Sequence, residues 1–151
     1  MAPLLVLLIT FVIAVVTIRV TRKQHNIALA ARIALSVMLL FTAVGHFAFT
    51  KGMTLMMPHF IPYKTQMVYF TGLVEILAAI GLQVPKWRVL TAWLLILFFM
   101  LVLPANIYAA INHVDYQKGT YEGKGTAYLW FRVPLQILFI AWTYLSAIKK
   151  R

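Results

Sequence analysis

At 151 residues, with 63% hydrophobic side chains and only 11% charged ones, the chain is too apolar for a soluble domain of this size. A soluble fold so small must keep much of its surface in water, so the composition points to a polytopic membrane protein. The absence of cysteine excludes disulfide staples, thiol relays, iron–sulfur clusters and Cys-ligated zinc.

In chain order, apolar runs near the ~20 residues needed to cross a bilayer fall at 3–19, 28–50, 65–83, 89–112 and 127–147. The first has no basic residue before it and Arg19, Arg22 and Lys23 directly after it, the reverse of a cleavable signal peptide. It is therefore expected to be a retained anchor. Residues 1–26 then form an N-terminal transmembrane anchor and basic loop, and 27–151 a four-helix membrane domain. The second run carries Arg32 near its start, where a long cation is expected to snorkel to headgroups, and His46 near its end. The third carries Glu75, the fourth Pro104 and Asn106, and the fifth Arg132 and Gln136. The expected fold is an all-α membrane protein, a four-helix transmembrane bundle plus an extra N-terminal transmembrane helix, with five spans.

Charge sets the orientation. The net charge of +11 sits at the ends of apolar runs, where it fixes topology and meets anionic headgroups, so no nucleic-acid partner is expected. Arg19, Arg22, Lys23, Lys86, Arg88, Lys149, Lys150 and Arg151 gather on one side. Lys51, Lys64, Lys118 and Lys124 lie on the other, with Asp115 and Glu122. The positive-inside rule places the first set in the cytoplasm and the loops 51–64 and 113–126 outside, N-out and C-in. The simplest location is a bacterial cytoplasmic (inner) membrane.

Glu75 is the one acid outside the polar loops, and an intramembrane carboxylate is costly unless it has a partner. At ~1.5 Å rise per residue it lies near mid-membrane, and His46, Asn106, Arg132 and Gln136 fall in the same outer half. Arg132 and Gln136 share a face at i and i+4. The expected pairing is Glu75 with Arg132, with His46, Asn106 and Gln136 as hydrogen-bonding neighbours. Such a cluster serves as interhelical glue, as the lining of a small-molecule pocket, or as acid/base machinery. Pro104 removes a backbone donor in mid-span and frees a carbonyl one turn earlier. His46, His59 and His113 share the outer side but sit at unsuitable depths for bis-His haem, and no metal site is expected.

Several short motifs form an ordered set. They are Gly45-His46-Phe47, Met57-Pro58-His59-Phe60-Ile61-Pro62, Gly72-Leu73-Val74-Glu75, Pro85-Lys86-Trp87-Arg88, Leu103-Pro104-Ala105-Asn106 and Arg132-Val133-Pro134-Leu135-Gln136. Over residues ~28–147 the chain resembles the DoxX-like family of small membrane proteins. That resemblance implies a four-helix membrane bundle associated with thiosulfate:quinone oxidoreduction or with membrane oxidoreductase complexes. The expectation is a redox-associated accessory subunit, rather than a complete enzyme, binding a quinone or other hydrophobic ligand through His46, Glu75, Asn106, Arg132 and Gln136. Its implied partners are the lipid bilayer, a membrane or periplasmic protein, and a second copy of itself. The rival is a structural or assembly subunit without its own ligand, and a third reading is a lipid isomerase or carrier using Glu75.

Overall fold

The computed structural model describes residues 2–23 and 25–149. Its elements are α1 (Ala2–Arg22), α2 (Ile27–Ala48), α3 (Thr50–Leu55), α4 (Lys64–Gly81), α5 (Arg88–Ile111) and α6 (Leu129–Thr143), with no strand among the described residues. A 3-10 turn, Gly125–Tyr128, leads into α6, and a π-helical turn, Tyr144–Ile148, ends it. Four helical stretches are long and apolar enough to cross a membrane: Ala2–Arg22, Ile27–Ala48, Arg88–Ile111 and Gly125–Ile148. α4 is shorter, at 18 residues, and carries Lys64, Gln66 and Glu75. Its outward face is nonetheless apolar, with Phe70, Leu73, Leu77 and Ile80 exposed at helical spacing.

Each boundary has a local cause. The Asn26 side chain accepts from the Leu29 amide and caps the start of α2. The chain bends at Phe49, where the Thr50 hydroxyl satisfies the His46 carbonyl at 2.8 Å. The 51–64 connection thus contains a helix that hydropathy alone does not show, because α3 is only six residues long.

α2, α4, α5 and α6 form a four-cornered bundle in which α2 packs on α4, α4 on α5, α5 on α6, and α6 on α2. α4 and α6 occupy opposite corners. Gly72 lets α4 approach α2 closely, since a Cβ there would lie 2.9 Å from that of His46. Below that crossing the Ser36 hydroxyl donates to the Ala79 carbonyl and accepts from the Gln83 amide. On the other side Trp142 Nε1 donates to the Ala31 carbonyl at 3.0 Å. The core is built from Leu35, Met38, Leu39, Leu82, Leu95, Phe99 and Phe139, and α1 contributes Leu7 to it. α1 lies along α2 and reaches α6 through an edge-on contact between Phe11 and Trp142.

The antiparallel arrangement gives the bundle two ends. A loop end carries the 51–64 and 113–126 connections. The basic end gathers Arg19, Arg22, Lys23, Lys86, Arg88 and Lys149, while Lys150 and Arg151 lie outside the described residues. Arg32 departs from expectation: it does not snorkel but is buried, and its guanidinium donates to the Ser146 carbonyl at 3.0 Å. Ser146 lies in the final turn, where a carbonyl has no helical successor to bond, and a nearby cation replaces the missing donor.

Candidate functional site

A cavity of about 340 Å3 opens inside the loop end of the bundle. His46 of α2, Glu75 of α4, Asn106 of α5, and Arg132 and Gln136 of α6 all lie on its wall. The rest of the lining is largely apolar, with Met38, Met53, Met56 and Met57 supplying flexible, polarisable surface that adapts to a guest. Its rim reaches Ala2, Val44 and Ala48, exposed residues where the start of α1 passes α2. The space is therefore open sideways as well as being framed by the loop.

The polar wall falls into two poles. At the first, His46 Nε2 stands 3.4 Å from Glu75 Oε2, the one ion-pair contact among the described residues. Glu75 is 6% exposed, and its Oε2 is buried with no hydrogen bond in the structure. The 3.4 Å separation is slightly too long to count as one. The other imidazole nitrogen, Nδ1, lies 3.0 Å from the Thr71 hydroxyl, which also lies 2.8 Å from the Val68 carbonyl. Thr71 and Glu75 occupy i and i+4 positions on α4, so one helix face presents both to His46.

At the second pole, the Arg132 guanidinium donates to the Asn106 side-chain oxygen. It also lies 5.1 Å from the ring centre of Tyr128 and 5.7 Å from that of Tyr116, both within cation–π range. Tyr116 belongs to the 113–126 loop. That loop is seated on α3, where any side chain at Gly52 would collide with the Tyr116 backbone. The Asp115 carboxylate tightens the same turn by accepting from the Gln117 and Lys118 amides. Gln136, one turn deeper than Arg132, donates to the Phe99 carbonyl at 2.7 Å. This carbonyl lies in the turn before Pro104, next to that of Met100, whose helical donor the proline removes.

The expected Glu75–Arg132 pair is not formed. Glu75 faces His46, and Arg132 faces Asn106, because α4 and α6 stand at opposite corners while α2–α4 and α5–α6 are neighbours. The cavity lies between the two poles. Thr71, Tyr116 and Tyr128 were not among the expected site residues. The i to i+4 spacing of Thr71 with Glu75 and of Tyr128 with Arg132 was a usable signal, whereas Tyr116 arrives through a loop and left none. The other loop-end histidines are dispersed, His59 against the Tyr108 ring and His113 against Gly125.

A family model described as a domain of unknown function (DUF8561) matches residues 35–147. The chain belongs to this family. The DUF8561 segment starts within α2 and ends in the π-helical turn, so it contains both poles of the cavity and leaves out α1. No curated protein and no solved structure matches the chain.

Proposed function

We propose that this DUF8561 protein is a redox-associated integral membrane subunit, of the type its DoxX-like motifs suggest, that holds a quinone or similar membrane-soluble ligand in the loop-end cavity. One observation carries the reading: polar groups from four helices line a mostly apolar space, and on its wall the buried Glu75 Oε2 is left without a donor. Interhelical glue satisfies itself, as Gln136 does on Phe99 and Ser36 on Ala79. A quinone is an apolar ring with hydrogen-bond acceptors at opposite edges. Arg132 can donate to one oxygen, and the His46–Glu75 pair can pass a proton to the other when the ring is reduced. At about 340 Å3 the cavity falls within the ~300–1,000 Å3 range of small-molecule sites. The electrons would come from a partner, a membrane or periplasmic protein docked at the loop end.

In the same reading all five long helices span the bilayer. α4 counts among them because its exposed stripe of Phe70, Leu73, Leu77 and Ile80 needs hydrocarbon around it, and it packs along α2. The basic end faces the cytoplasm of a bacterial inner membrane, N-out and C-in. The sideways rim then admits ligand from the bilayer.

Photolabelling tests the site. A quinone analogue with a photoreactive tail should label peptides of α2 and α6 flanking His46 and Arg132, and excess unlabelled quinone should displace it. Labelling that does not saturate, or that spreads evenly over the lipid-facing helices, would contradict the proposal.

A further inference from the structure

The cavity carries a charge balance that constrains its ligand. Among the described residues, the charged or titratable side chains on its wall are His46 of α2, Glu75 of α4, Arg132 of α6, and Tyr116 and Tyr128 at the loop end. α5 contributes only uncharged Asn106 to the polar wall, and Lys51 of α3 and Lys64 of α4 do not line it. With Glu75 ionised and His46 neutral, Arg132 and Glu75 cancel. One proton added to the His46–Glu75 pair leaves the wall with a single uncompensated positive charge at Arg132.

The hydrogen-bond partners of His46 suit both states. The Thr71 hydroxyl has one proton and lies within reach of two acceptors, the Val68 carbonyl and His46 Nδ1. In the state without the extra proton, Thr71 donates to Nδ1, and Nε2, 3.4 Å from the Glu75 carboxylate, carries the ring hydrogen. In the state with it, Thr71 donates to Val68 and accepts from Nδ1–H, and the imidazolium charge lies beside the same carboxylate. Only the hydroxyl rotates. No side chain has to move in either state, so a proton can come and go without repacking the wall.

We infer that the cavity binds its ligand with a singly negative oxygen head at Arg132 and takes up one proton at His46–Glu75 as it does so. An anion placed beside Arg132 would leave Glu75 as an unbalanced negative charge in a low-dielectric space, and proton uptake restores neutrality. Thr71 is a positioning residue in this scheme, acting through His46. The inference rests on the reading of the cavity as a ligand site, and it adds the charge of the head group and the coupling to a proton.

The test uses the full chain in lipid nanodiscs with two probes of one shape. These are an alkyl-tailed hydroxynaphthoquinone, anionic at neutral pH, and the corresponding methylnaphthoquinone, which is neutral. Calorimetry in two buffers of different ionisation enthalpy counts the protons taken up. The anionic probe is expected to bind with uptake of about one proton, its affinity falling by up to about tenfold per pH unit where the pair loses its proton. The neutral probe should bind without that uptake. In Glu75→Gln the uptake should vanish while the anionic probe still binds, and Arg132→Gln should lose the anionic probe selectively. Binding of the anion without proton uptake, or uptake that survives in Glu75→Gln, overturns the coupling and leaves the pocket standing. Binding of the neutral probe alone does the same. Failure of both probes to bind overturns the pocket as well. The wild-type measurement decides the matter even if a variant does not fold.

Discussion

Replacing His46 by leucine, which keeps the bulk but removes both ring nitrogens, should destabilise the bundle far more than replacing Glu75 by glutamine. When the pair holds its extra proton, imidazolium and carboxylate at 3.4 Å attract by ~5 kcal/mol at an effective dielectric of ~20. Desolvation costs several kcal/mol per buried ion, so the net worth of the intact pair is small, on the order of 1 kcal/mol. In that protonation state, removing His46 alone takes the counter-charge from the 6%-exposed Glu75. That loss exposes the whole penalty, about 3–5 kcal/mol. Glu75→Gln leaves a neutral amide that can donate to Nε2, so about 1 kcal/mol should be lost. The double change His46→Leu with Glu75→Leu removes both polar groups and should recover most of the deficit. Thermal unfolding in detergent, followed by circular dichroism, would show a drop of roughly 10 °C for His46→Leu. Strictly additive losses in the cycle completed by Glu75→Leu alone, or equal losses from His46→Leu and Glu75→Gln, would refute the pairing.

Gly52→Ala should force the 113–126 loop off α3, because its Cβ would occupy the space of the Tyr116 carbonyl. A cost of about 1–3 kcal/mol and weaker ligand binding are expected from thermal unfolding and probe titration, and an unchanged protein would contradict the loop seating. Arg32→Met should change stability by only about 1 kcal/mol, since the lost bond to Ser146 is offset by relief of a buried cation whose Nε has no partner. A loss above about 3 kcal/mol in the same assay would show that Arg32 has a stronger partner. Cysteines introduced at Thr54 and Glu122 in this Cys-free chain should react with impermeant reagents from outside. Labelling of both only from the cytoplasmic side would invert the proposed orientation.

Hydropathy located the long helices to within a few residues, because a run of about 20 apolar side chains has few other uses. The polar wall was legible for a similar reason. Residues such as Glu75, Asn106 and Gln136 are expensive in a span, so their depths along each helix carry information. Depth does not reveal azimuth or corner. Depth and opposite charge favour Arg132 as the partner of Glu75, but the bundle order places α4 beside α2 and across from α6. Arg32 was misread because its acceptor, the Ser146 carbonyl, is a backbone atom more than a hundred residues away. Backbone acceptors leave no trace in a side-chain pattern. Tyr116 was hidden likewise, since its place over Arg132 depends on Gly52 permitting a close backbone approach.

The most direct test of the cavity as a ligand site is native mass spectrometry of the protein extracted from its own membrane, compared with Ala105→Trp. Ala105 lines the cavity beside Asn106, so the indole should fill the space without removing any polar group. The wild-type chain is expected to carry a bound quinone-class molecule, and Ala105→Trp to fly as the folded, bare polypeptide. A wild-type chain that is bare from the outset, or a variant that retains the same bound mass, would contradict the account.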